Sequence, residues 1–392
     1  MKMTILFVVL FASVAFSTPQ PGLPFLLIWP TARSTALAGA VIGLADNPDA
    51  AFFNPAGLAF QSGIGAAANY GDWLPGFYPD MHFGYLSLVF SPKAENARAH
   101  HHLAIGLDAS YLNLSNRYCI IPELPPPYPD VWRGAVGVAA SFAVTGQFSV
   151  GAKAKLIQSE LGTDLGMEVL PELGIDDAGT GTAWAGDVGA LWRPSSRFSL
   201  GASVANLGPG ITYSSTRQHD PSPTILRIGA CWTLMDNRYV RLSIMPEWDK
   251  LLVGMLYDSA NAKSFGREMQ TELRDAWKAL GIEVTGLELV TVRLGYFEDM
   301  YWNRGGIVFE RDGGEYRHNL YDLLTRKALG KFRSISLCWG FGIGNKDYIR
   351  FDVSSDAAIY DFPTSNWKFS LVANDIAGGL RELRQGHEPW EE

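Results

Sequence analysis

The side chains in this sequence that could do chemistry are charged, and each is flanked by apolar neighbours. Asp108, Lys153, Lys155, Asp187, Arg227, Arg241, Arg293, Arg350, Asp352 and Lys368 all occupy the polar phase of alternating stretches. Both signs occur, so opposite charges on neighbouring strands can pair across one shared face. A charge-selective pore would favour one sign; the mixture reads as a hydrated, internally paired face. Catalytic signatures are missing: the sequence has no G-x-S-x-G elbow, phosphate-binding glycine loop, H-E-x-x-H or C-x-x-C. His100, His101 and His102 are consecutive, and adjacent residues of a strand point to opposite faces. They make a poor metal site and read as a solvated loop. The 3 cysteines, Cys119, Cys231 and Cys338, are odd in number and far apart, which supports neither a disulfide framework nor a zinc site. No catalytic residue, cofactor or metal ion is expected.

The elements that carry these residues have the strand period. In His102–Leu112, Leu103, Ile105, Leu107, Ala109 and Tyr111 fall on one face and Ala104, Gly106, Asp108 and Ser110 on the other. The same text recurs in Leu226–Trp232, Val290–Gly295, Ile335–Ile343, Ile349–Ser354 and Trp367–Leu371. About fourteen such strands can be placed between Gly63 and Asn374, an even number, as single-chain bacterial barrels require. The placement puts one strand at Arg333–Ile343. Trp, Tyr and Phe gather near the strand ends, as they do in the interfacial girdles of membrane barrels. Connections alternate between short turns, such as Gly146-Gln147 and Asp236-Asn237, and long loops at 115–132, 161–181, 208–223, 259–278 and 299–332. Short amphipathic helices are expected within the last two. The fold class read from this pattern is all-β, a transmembrane antiparallel β-barrel. A length of 392 residues suits one large barrel, and a net charge of -8 argues against a nucleic-acid partner.

The N-terminus reads differently. Residues 1–17 have Lys2, an apolar run over Thr4–Phe16 and small residues at Ala15 and Ser17, the pattern of a secretory signal peptide. Residues 18–61 are rich in Ala and Gly, and small side chains let backbone pack closely. They are expected to form an N-terminal plug, with Asp46, Asn47 and Asn54 satisfying irregular backbone inside the barrel and Asn54, Pro55, Ala56 and Gly57 marking a turn. Residues 62–376 would form the barrel and 377–392 a C-terminal tail. In the loop at 115–132, Pro125, Pro126, Pro127 and Tyr128 form either a stiff connection or a partner-binding element, since extended proline segments present side chains at low entropic cost.

These residues resemble a known family. Leu37-Ala38-Gly39-Ala40, Asp46 and Asn54-Pro55-Ala56-Gly57-Leu58 look like the N-terminus of PorV/PorQ outer-membrane proteins, and Ala185–Trp192 and Leu200–Pro209 continue the likeness. It covers roughly the first 215 residues. The family is in turn similar to FadL-type barrels, whose N-terminal hatch carries an Asn-Pro-Ala turn. The resemblance implies a protein of the bacterial outer membrane that belongs to the type IX secretion system and handles exported cargo proteins. The alternative it implies is a transporter of long-chain fatty acids or other hydrophobic molecules. Secretion-system proteins, cargo and the lipid bilayer are the implied partners. The chain departs from the usual pattern by continuing about eighteen residues beyond the last strand.

Overall fold

The computed structural model describes residues 21–376 apart from 77–79, 93–102, 115–130, 162–178, 214–218, 254–271, 301–303, 326–329, 346–347, 357–363 and 365. The signal segment, the C-terminal tail, Cys119, the histidine cluster and Pro125, Pro126, Pro127 and Tyr128 lie outside the described residues.

The strands in chain order are β1 (Gly63–Asp72), β2 (His82–Ser91), β3 (Leu103–Asn113), β4 (Val131–Ala143), β5 (Phe148–Leu161), β6 (Thr180–Ser195), β7 (Phe198–Leu207), β8 (Ile211–Thr212), β9 (His219–Asp220) and β10 (Ile225–Asp236). They continue with β11 (Val240–Leu251), β12 (Trp277–Gly286), β13 (Val290–Asp299), β14 (Arg304–Gly305), β15 (Ile307–Arg311), β16 (Gly314–His318), β17 (Lys331–Ile335), β18 (Leu337–Gly344), β19 (Ile349–Ser355) and β20 (Trp367–Ala373). Fourteen of them close into an antiparallel barrel. The wall runs β1 to β7, then β10 to β13, then β18 to β20, and β20 pairs back onto β1. A closed wall leaves no unpaired edge. Among the described residues no helix is long and apolar enough to cross a membrane.

Period two explains the wall. On β3 the outward residues Leu103, Ile105, Leu107 and Tyr111 are exposed while Ala104, Gly106, Asp108 and Ser110 are covered inside. Aromatic residues gather in two outward rows. Near the long-loop end, Tyr70, His82, Tyr111 and Trp132 follow one another with ring centroids 5.5–6.1 Å apart. Phe142, Trp192, Trp232 and Tyr239 lie exposed toward the other end. Trp132 and Phe142 are ten positions apart on β4, which at about 3.3 Å per residue and a tilt of roughly 40° separates the rows by about 25 Å.

The stretch expected as one strand at Arg333–Ile343 is two. Lys331–Ile335 belongs to a small sheet with β15 and β16, and the wall strand starts at Leu337. Ser336 marks the break, its N–H donating to the Gly306 carbonyl at 3.0 Å. Alternation continues in phase across Ser336, so periodicity could not reveal it. The connection 299–332 holds a helix at Leu320–Thr325, as expected, and also the β15–β16 hairpin, which was not.

Candidate functional site

Residues 21–61 lie inside the barrel. Gly22 N–H donates to the Pro221 carbonyl at the long-loop end, and Gln61 leads into β1 at the short-turn end. Between them come helix α1 (Ala32–Ala36), helix α2 (Ala50–Phe53) and 3₁₀ turns at Pro24–Leu27 and Pro55–Phe60. This chain runs against inward glycines of the wall. A Cβ at Gly295 would fall 2.5 Å from the Ala38 nitrogen, and one at Gly151 2.5 Å from the Ala56 nitrogen. Inward serines satisfy its backbone. Ser141 and Ser149 donate to the Ala56 carbonyl at 2.9 and 2.7 Å, Ser199 to Gly43 at 2.5 Å and Ser203 to Phe53 at 2.8 Å. Ala32 N–H donates to Ser370, and Ile42 N–H to Glu247, at 2.7 and 2.8 Å. Buried irregular backbone needs such partners, and the alternating Ser and Gly of the wall supply them.

The turn residues are all buried here. Asn54 caps the Pro55–Phe60 turn, its Oδ1 accepting from Ala56 N–H at 3.2 Å while its Nδ2 donates to the Ile42 and Ala190 carbonyls. Gly57 leaves no room for a Cβ beside Ala45. Among the described residues Asp46 serves no backbone group; it pairs with Arg33 at 2.5 Å. Burial opposes the Asp46 charge, but the Arg33 guanidinium beside it more than offsets this and holds the carboxyl below its usual range. Arg33 also grips Glu283 of β12 with two bonds of 2.9 and 2.8 Å. From Glu283 the network runs to Arg293 at 2.7 Å, Asp352 at 2.7 Å and Arg350 at 2.8 Å. Arg33 is thus the tie between the inner segment and three wall strands. Its residue type was visible in the sequence, but its partner lies 250 positions away, and no local signal connects them.

The other inward charges pair as their mixed signs implied. Lys153 meets Asp108 at 2.6 Å and Lys155 meets Asp187 at 2.8 Å. Arg227 approaches Asp249 at 3.7 Å. Arg241 pairs with Asp236 near the short-turn mouth. Lys368 instead donates to the Trp29 carbonyl. Cys231 and Cys338 are buried free thiols.

Two kinds of space remain. At the short-turn mouth a polar cavity of about 320 Å³ reaches Arg33, Asp46, Arg193 and Glu283. At the long-loop mouth a cavity of about 220 Å³ is lined by Phe25, Leu27, Ile28, Trp29, Trp73, Leu112, Trp277 and Phe297, together with Arg133, Arg304, Asp356 and Lys368. Arg304 is held by Asp299 at 2.9 Å, whereas Arg133 Nε is out of solvent and has no hydrogen-bond partner among the described residues. This half-buried guanidinium beside an aromatic cradle can receive an anionic group attached to an apolar body.

Residues 17–257 match the model of the family described as type IX secretion system protein PorV. The chain belongs to the PorV family. No match was found among curated proteins. Solved structures similar to this PorV-family chain are distant barrels. The toluene transporter TbuX of Ralstonia pickettii is 12% identical with a TM-score of 0.47, over 88% of this chain and 98% of that one. The monoaromatic hydrocarbon channel CymD is 12% identical with a TM-score of 0.49, over 89% and 98%. A FadL homologue of Pseudomonas aeruginosa is 14% identical with a TM-score of 0.41, over 88% and 98%.

Proposed function

We propose that this PorV-family barrel sits in a bacterial outer membrane and serves type IX secretion by engaging exported proteins at its long-loop end. Residues 18–61 act as a hatch that keeps the lumen closed, with Asp46, Asn54, Pro55, Ala56 and Gly57 holding its lower half. The family match over residues 17–257 carries the reading. The two aromatic rows, about 25 Å apart at roughly 3.3 Å per residue along a tilted strand, support the membrane setting, because such girdles flank the apolar band of membrane barrels. The filled lumen supports a binding role over that of an open pore: inner segment and wall share hydrogen bonds along their length. The surface left for partners is the long-loop end, where the sheet of β15, β16 and β17 stands and where Pro125, Pro126, Pro127 and Tyr128 belong by sequence. The function is binding and transfer, with no catalytic step. Affinity capture from detergent-extracted membranes should recover secretion components or exported proteins, and should lose them when 304–335 is replaced by a short Gly/Ser linker. Recovery of neither from the intact protein overturns the proposal.

A second reading rests on the aromatic cavity beside Trp29. Its lining and the Arg133 guanidinium, whose Nε has no hydrogen-bond partner among the described residues, suit one end of a hydrophobic molecule with an anionic head. Its volume of about 220 Å³ lies below the roughly 300–1,000 Å³ of pockets that enclose drug-sized ligands, so only part of a longer molecule fits.

A further inference from the structure

Strand β17, Lys331–Ile335, is a free sheet edge at the long-loop end. All five of its residues are exposed. It pairs with β15 on one side and with no strand on the other among the described residues. Ser336 N–H points to Gly306, and antiparallel ladders alternate, so the N–H and C=O of Ile335 face away from β15. One face of the small sheet carries a row of aromatic residues. Tyr316 stands opposite Phe309, and Phe309 opposite Phe332, the last two edge to face with centroids 6.0 Å apart. Phe309 is buried in this row, but Phe332 at its open end is 56% exposed. The other face presents Lys331 and Arg333 at the edge, with Glu310 opposite Lys331 and Glu315 beyond it on the inner strands. Arg333 pairs with Glu315, while Lys331 has no ion pair among the described residues.

We propose that β17 receives an extended, acidic segment of an exported polypeptide as a fourth strand. The origin of that segment rests on the secretion reading above; the edge chemistry does not. An unpaired strand edge is a template for another backbone. Charge selects the occupant. A second copy of this edge would set Lys331 and Arg333 against their own kind, which disfavours self-pairing, whereas acidic residues at those positions are attracted. An apolar side chain opposite Phe332 would extend the aromatic row by one member.

The test uses the full chain in detergent and two probes, an octapeptide of alternating Glu and Val and its Lys/Val counterpart. Hydrogen exchange of the β17 amides is followed. The Glu/Val peptide should slow exchange within 331–335 about tenfold and bind at least tenfold more tightly than the Lys/Val peptide. The double substitution Lys331→Glu, Arg333→Glu should reverse that preference. Equal binding of both peptides, protection elsewhere, or self-association that protects β17 without peptide would each overturn the inference. If secretion partners copurify while the Glu/Val peptide leaves β17 unprotected, the edge proposal fails and the secretion reading stands. If the peptide protects β17 while no secretion partner is recovered, the edge proposal holds and the secretion reading fails.

Discussion

Replacing Arg33 by Met should loosen the inner segment without dissolving the wall. Arg33 is 5% exposed and makes four bonds, two to Glu283 at 2.9 and 2.8 Å and two to Asp46 at 2.5 and 3.4 Å. Removing one partner of a buried ion pair costs about 3–5 kcal/mol, because the other charge is left uncompensated. Two features place Arg33→Met near the lower end. Glu283 keeps Arg293 at 2.7 Å, and the Asp46 side chain, 37% exposed, can take water when released. A loss of about 3 kcal/mol is roughly two decades in a local opening equilibrium, at about 1.4 kcal/mol per decade. Hydrogen exchange of the folded protein in detergent reads this directly. Leu37 N–H, bonded to the Arg33 carbonyl, and Ile42 N–H, bonded to Glu247, should exchange about 100-fold faster, while β5 amides keep their rates. Wild-type rates at Leu37 and Ile42 would refute the tie, and equal acceleration in β5 would show that Arg33 holds the whole barrel instead.

Gly295→Val should expel residues 36–38 from their seat, because the added Cβ meets Leu37 and Ala38 backbone at 2.5 Å. Limited proteolysis should then cut within 30–45 with β content unchanged, whereas Gly286→Ala, whose nearest neighbour would be 3.9 Å away, should behave as wild type. Acid should act through Asp46. Its folded carboxyl sits below its ordinary range because the Arg33 guanidinium outweighs the cost of desolvation, so its contribution is fully present above the unfolded value and is lost as pH falls through the lower folded value. Thermal melts should show a smaller acid-induced fall in Asp46→Asn than in wild type, and identical acid limbs would remove Asp46 from the argument.

Whether a contact was legible in the sequence depended on how far along the chain its partner lay. Asn54-Pro55-Ala56-Gly57 was readable because Asn54 bonds Ala56, two residues on, and a turn writes its chemistry into adjacent letters. The wall was readable because outward-facing and lumen-facing residues differ in kind at every second position. The hairpin joining β15 to β16 was also written locally, in Asp312-Gly313 with φ of 53° and 77°, the left-handed pair that a tight hairpin wants. Within the long connection 299–332 it is masked, because the strands on either side of it are only five residues long. What no local pattern could supply was the match between inner segment and wall. Gly295 opposite Ala38 and Ser149 opposite Ala56 are each ordinary members of a small, polar lumen face. They acquire meaning only when the segment's backbone is laid against them. The same holds for charge. Mixed signs on the inner face implied pairing, and Lys153–Asp108 and Lys155–Asp187 pair across strands as expected. Yet the cluster that ties segment to wall is centred on Arg33, a residue of the segment itself. A row of inward charges on the strands therefore foretells that the lumen is neutralised, and the backbone that fills the bore decides which wall charges are recruited to hold it there.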